Sequence, residues 1–141
     1  MDHHKATELV SQLNKQGKMH FKEGASFEQI EAFEIKNAIT LPLKVKEWLA
    51  VTDGCELFLP GGIQLYGVAH PPVIDINEED KPDDHYIVIG ALASGDPVLC
   101  EKNSEKISIY NHGAGKIEED ESYSDFESFM LDLTKILGIE D

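Results

Sequence analysis

The single tryptophan of the chain sits inside Thr40–Gly54, TLPLKVKEWLAVTDG, and this stretch constrains the fold more than any other. Proline is accommodated at the first helical position, where the backbone N–H has no acceptor anyway, so Pro42 predicts a helix start. Leu41, Val45, Trp48, Leu49 and Thr52 then recur at helical spacing and make one face. Asp53-Gly54 predicts the stop, since glycine enters the left-handed cap conformation at little cost. A short helix with so large a side chain at its centre needs other elements to close over it. The broad apolar face near the C-terminus is the natural partner, which places Trp48 beside Phe129 or Leu133.

The elements on either side follow from periodicity. Ala6, Leu9, Val10 and Leu13 predict a helix over residues 4–16, ended by Gly17. Ser26 with Gln29 has capping-box spacing and opens a second helix. Phe27, Ile30 and Phe33 share one face of it, and Glu28, Glu31 and Glu34 the other. A break at Asn37-Ala38-Ile39 leads to the Trp48 helix. Beyond Gly54 the pattern turns to strands. Glu56 to Pro60 and Ile63 to Tyr66 flank Gly61-Gly62, a hairpin signal. Tyr86 to Ile89 is β-branched and aromatic and reads as a central strand. Val98–Cys100 and Ile107–Tyr110 add two more, with turns at Ser94–Pro97 and Asn111–Gly113. Ser124 to Leu137 predicts a closing helix, with Ser124 and Glu127 as a second capping box and Phe126, Phe129, Met130, Leu133, Ile136 and Leu137 on its apolar face. The expected class is α+β: N-terminal helices, a central and mostly antiparallel sheet of five or six strands, and a C-terminal helix packed on the sheet. Residues 1–141 are expected to form one domain, a length that can bury a real core.

Charge narrows the range of functions. Twelve basic residues against 27 acidic ones give a net charge of −15. Phosphates repel such a surface, which excludes direct nucleic-acid binding, whereas a basic protein would be steered towards it. The acids cluster in two places, Asp75, Glu78, Glu79, Asp80, Asp83 and Asp84 in a proline-containing loop and Glu118, Glu119, Asp120 and Glu121 after Ile117. Asp53 and Glu56, beside the end of the Trp48 helix, form a third candidate for partner binding. No apolar run approaches the ~20 residues that cross a bilayer, and the N-terminus lacks a signal core. Cys55 and Cys100 are expected as unbonded thiols in a reducing, cytoplasmic setting.

Catalytic signals are sparse. There is no phosphate-binding glycine loop, zinc spacing or nucleophile elbow. Cys100 and His112 would be the nucleophile and base of a catalytic pair, but Cys100 lies inside an apolar strand, where cysteine behaves as a small hydrophobe. His70 and His85 flank the acidic loop and offer a metal site, but that loop has no glycine placed as in an EF-hand. No catalytic residue, cofactor or metal is expected.

The order of these features resembles the SUKH superfamily, shared by fungal Smi/Knr cell-wall regulators and bacterial toxin-immunity proteins. The resemblance runs from about Glu23 to Leu137. It is carried by Glu23-Gly24-Ala25-Ser26, Leu41-Pro42, Trp48-Leu49 before Asp53-Gly54, Leu65-Tyr66-Gly67, Ile87-Val88-Ile89-Gly90, Ser94-Gly95-Asp96, Val98-Leu99-Cys100 and Asp125-Phe126-Glu127-Ser128-Phe129. Pro97 departs from the pattern and predicts a strand that starts late or lies at an edge. The motif residues read as structural: Gly54, Gly67 and Gly95 for turns with unusual backbone angles, and Asp96 for local N–H groups. The resemblance implies a non-enzymatic immunity protein that binds a cognate toxin, often a nuclease, whose positive groove carboxylates would fill. The alternative it implies is an intracellular scaffold or regulator of the Smi/Knr type.

Overall fold

The computed structural model describes residues 2–76, 81 and 83–138, with the backbone alone at 118–121. Its elements are α1 (His3–Asn14), β1 (Lys18–Phe21), α2 (Phe27–Asn37), α3 (Leu43–Val51), β2 (Cys55–Leu59), β3 (Ile63–Leu65), β4 (Tyr86–Leu92), β5 (Pro97–Glu101), β6 (Ile107–Asn111), β7 (Lys116–Tyr123), α4 (Phe126–Leu131) and α5 (Leu133–Ile136).

Side chains at the helix starts satisfy the N–H groups that the first turn leaves without partners. At α1 the Asp2 carboxylate accepts from the Lys5 N–H at 2.8 Å. At α2 the expected capping box is present: the Ser26 hydroxyl accepts from the Gln29 N–H at 3.1 Å, and the Ser26 N–H donates to the Gln29 side chain at 2.9 Å. Helix α3 begins one residue later than expected, with Pro42 as its cap and no capping side chain of its own. Its cap comes instead from the β5–β6 turn: Glu105 accepts the N–H groups of Leu43 at 2.9 Å and Lys44 at 3.3 Å. Nor does Gly54 end this helix. Thr52 turns extended after Val51, and Gly54 takes its positive φ of 104° in the turn into β2.

The closing helix also differs from expectation. Asp125, not Ser124, caps α4, accepting from the Ser128 N–H at 2.8 Å. The helix breaks at Asp132, whose carboxylate accepts from the Tyr123 hydroxyl at 2.9 Å, and resumes as the short α5.

Among the described residues, seven strands form one sheet in the order β1 to β7, each antiparallel to the next. It therefore exceeds the expected five or six: β1 and β7 are the additions. β4 is the middle strand, as its apolar run predicts. Pro97 opens β5 and pairs with Ala91, so β5 begins at the proline but is an inner strand, not an edge. A proline at a strand's first residue leaves the rest of the ladder intact.

The helices close over one core. Trp48 is 2% exposed and its ring lies 5.8 Å from that of Phe126, which in turn lies 6.1 Å from Phe129. The tryptophan thus meets the C-terminal helix as expected, with Phe126 as its aromatic neighbour. Ile30 and Phe33 of α2 are buried, but Phe27 leaves the predicted face and is 74% exposed. Val88 and Leu99 pair across β4 and β5 and are buried outside the main cluster. Successive strand residues point to opposite faces, so both faces of the central strands are covered.

Helices α3 and α4 are also joined electrostatically. The Lys44 ammonium lies 2.7 Å from the Asp125 carboxylate. That hydrogen bond, helped by the Ser128 N–H, holds the Asp125 carboxyl well below its ordinary 3.8, at about 2, and raises Lys44. Because the folded value is depressed, the contribution is complete above the ordinary value and is lost as pH falls through about 2. Asp125→Asn should therefore be less stable than the parent at neutral pH, with the difference closing between about pH 4 and 2. Urea unfolding across that range measures it, and a constant difference would assign the cost to packing rather than charge.

Candidate functional site

The chain leading into the acidic loop is held by one buried carboxylate. Asp53 is 0% exposed. Its Oδ1 accepts from the Val68 N–H at 2.7 Å, and its Oδ2 from the N–H groups of Ala69 and His70, both at 2.9 Å. His70 Nδ1 lies 2.8 Å from the same Oδ2. Asp53 is therefore corrected as a candidate for partner binding: its carboxylate is spent on holding the loop that follows β3. Gly67 is needed for space rather than for an unusual backbone angle, because a Cβ there would come within 2.6 Å of Asp53 Oδ1.

From this anchor the chain runs to Ile74, which is buried, and Asp75, which is exposed and bridges to Val88 of β4. Glu78, Glu79 and Asp80 lie outside the described residues. Asp83 and Asp84 are exposed just before β4. The His85 N–H lies 2.7 Å from Asp83, and this bond lowers the Asp83 carboxyl. Lys81, the one lysine of the segment, helps to lower Asp83 from nearby. Its ammonium donates to the main-chain carbonyls of Ile76 and Tyr86 and ties the loop's two ends together.

The second acidic cluster is not a loop. Glu118, Glu119, Asp120 and Glu121 fall within β7, the last strand of the sheet, and their side chains lie outside the described residues. Glu56 is half-buried on β2, opposite His20 on one side and Gln64 on the other. Five strand spacings of ~4.8 Å separate β2 from β7 along the sheet. The segment before β4 and β7 are three strand spacings apart, within the span of an ordinary protein interface.

The catalytic alternative fails on burial. Cys100 is 1% exposed, and burial pushes its thiol up to about 12, as it does that of Cys55. A thiol in that state is not a nucleophile at neutral pH. Both cysteines are free. His112 is occupied elsewhere: its Nδ1 pairs with the Asp96 carboxylate, which also accepts the His112 N–H at 3.2 Å. Asp96 thereby joins the β4–β5 turn to the β6–β7 turn instead of serving only its own. Among the described residues, no three His, Cys, Asp or Glu side chains are grouped to hold a metal, and no helix is long and apolar enough to cross a membrane.

An apolar patch lies on another side of the molecule. Phe27 and Leu43 are 74% and 61% exposed and lie together on the α2–α3 side of the molecule. In the sequence Leu43 is an apolar residue off the predicted face of the Trp48 helix, which is the pattern of an exposed apolar position.

The exposed carboxylates of Asp75, Asp83 and Asp84 thus follow a loop start that is pinned by buried bonds. No curated protein matches the chain. The sequence model of the SMI1/KNR4 family (SUKH-1) matches residues 24–132, from the strand–helix junction before α2 to the break between α4 and α5. The chain belongs to the SMI1/KNR4 family (SUKH-1).

Proposed function

We propose that this protein is a non-enzymatic immunity protein that binds and neutralises a cognate toxin domain, a basic nuclease, in the cytoplasm. The observation that carries the reading is the state of the acidic segment. Asp75, Asp83 and Asp84 face solvent, while the segment's one lysine is turned onto backbone carbonyls. Like charges held together in this way repel, and a partner bringing lysine or arginine relieves the repulsion and adds charge-assisted hydrogen bonds. A nuclease must present such a positive groove to phosphate, and an inhibitor of net charge −15 would be steered into it. The family match supports a binding role and fits equally an intracellular scaffold of the Smi/Knr type.

Capture from the source cell's lysate, followed by mass spectrometry, identifies the partner, and co-expression then tests protection. A captured protein that is toxic alone and harmless with this chain supports immunity. A non-toxic partner supports the scaffold. The surface is tested by the double reversals Glu79→Lys with Asp80→Lys, and Glu119→Lys with Asp120→Lys. Each should leave folding nearly intact, with a stability change below ~0.5 kcal/mol. At least one should slow association about tenfold or more and flatten its salt dependence. Unchanged binding and protection by both would discard the acidic surface as the interface.

A further inference from the structure

We propose that Met19 is an oxidation-sensitive latch on the sheet rim: a peroxide that converts its thioether to the sulfoxide frees the Phe58 N–H and loosens β1 from β2. Met19 lies on β1 between the pairs Lys18–Leu59 and His20–Glu56. β1 takes two steps between those pairs and β2 takes three, so Leu57 and Phe58 together face Met19. Such a β-bulge leaves one residue of the longer strand outside the ladder. Phe58 carries the irregularity, with a φ of 57° in the left-handed region that bulky side chains rarely enter. Its N–H donates to Met19 Sδ at 3.0 Å. A thioether is a weak acceptor, yet here it serves a backbone donor that the bulge takes out of the ladder. The two side chains also share the space beside Gly17, where an added Cβ would lie 3.4 Å from Phe58 Cδ1 and 3.7 Å from Met19 Cε.

The position of the sulfur sets its chemistry. Met19 is half-buried on a rim strand, whereas Met130, the other described methionine, is 2% exposed in the core. A small hydroperoxide therefore reaches Met19 first. A sulfur lone pair attacks one peroxide oxygen, and the O–O bond breaks as the S–O bond forms. The proton of the new S–OH group passes to the departing hydroxide, which leaves as water. Sulfur loses two electrons and the peroxide gains them. The product is a polar sulfoxide. At 3.0 Å no oxygen fits between the Phe58 nitrogen and the sulfur. The oxidised sulfur is electron-poor and no longer accepts, and its new oxygen draws the side chain from Phe58 towards water. β1 is only four residues long, so a disturbance at its second residue reaches the whole strand. Sulfoxide reductases reverse the step. The latch uses neither the acidic segment nor β7 and needs no partner.

The test treats the full chain with graded hydrogen peroxide and follows it by peptide-mapping mass spectrometry and NMR-detected hydrogen exchange. In the folded protein Met19 should gain its oxygen at least tenfold faster than Met130, and urea should bring the two rates together. Once Met19 is the sulfoxide, the Phe58 amide and the protected amides of β1 should exchange at least tenfold faster, while those of β5 keep their protection. Methionine sulfoxide reductases of both epimer specificities should restore the first pattern. Met19→Leu keeps the bulk without the sulfur. It should show the faster Phe58 exchange before peroxide and no further change after it. Met130→Leu should respond to peroxide as the parent does. Equal oxidation of Met19 and Met130 in the folded protein would overturn the proposal. So would a Phe58 amide that stays protected in the sulfoxide, a loss of protection that extends equally to β5, or a peroxide response that survives in Met19→Leu. None of these measurements involves a toxin or the charge reversals, so either reading can fail alone.

Discussion

Trp48→Ala should lower the unfolding free energy by about 3–5 kcal/mol, the range for truncating a buried aromatic residue. The side chain is 2% exposed and packs on Phe126 at 5.8 Å, so alanine would leave a cavity between α3 and α4. A second variant separates bulk from polarity. The indole Nε1 is buried and has no hydrogen-bond partner among the described residues. Its N–H is thus desolvated without return, a penalty of about 1–3 kcal/mol. Trp48→Phe removes that penalty while keeping much of the ring, and should cost less than ~2 kcal/mol. Urea unfolding followed by circular dichroism compares the two, since the only tryptophan is gone from both. Equal losses would mean that the indole N–H does have a partner.

Asp53→Ala should be about as damaging, for a different reason. Three backbone N–H groups and the His70 ring converge on a carboxylate with no exposure. Each buried donor left without an acceptor costs about 1–3 kcal/mol. Val68, Ala69 and His70 are themselves partly exposed, so water recovers some of this. A net loss of roughly 3–5 kcal/mol is expected. Asp53→Asn keeps the shape but sets an amide donor against donors, and should fall between parent and alanine. Hydrogen exchange locates the effect: the amides of residues 68–70 should lose protection while α3 keeps its own. A loss below ~1 kcal/mol would show that the loop is held by something other than this carboxylate.

What was legible in the sequence was local. The Ser26–Gln29 capping box is written within four residues, and it is present. The Gly61-Gly62 hairpin and the central position of the Tyr86 strand follow from turn chemistry and composition. The misses depend on partners distant in the chain. Lys18–Phe21 is a strand because β2 pairs with it; its residues alternate polar with apolar, but four residues are the shortest run that carries a strand signal. Lys116–Tyr123 is dominated by glutamate and aspartate, which disfavour strands, yet β6 holds it in the sheet. Glu105 caps a helix that begins 62 residues earlier. Nothing in TLPLKVKEWLAVTDG shows that its first N–H groups are met from there.

The candidate site divides along the same line. Exposed acids such as Asp75, Asp83 and Asp84 behave as acidic composition predicts. Asp53 has the same chemistry and the opposite placement, because the N–H groups that bury it come from 15 to 17 residues further on. Phe27 errs in the other direction: its spacing from Ile30 and Phe33 implies the core, but at the first position of α2 it faces outwards.

The strand order bears on how the protein behaves when concentrated. An open sheet has two rims, each a row of unpaired N–H and C=O groups that can template another chain into aggregates. Here the rims are β1 and β7, and each is blunted differently. β1 offers only four residues, too short a row to seed much. β7 offers eight, but four consecutive residues of it are acidic, and two such strands approaching edge to edge would repel. Neutralising residues 118–121, even where no partner is bound, would remove the charge that keeps the longer rim from joining sheets into fibrils.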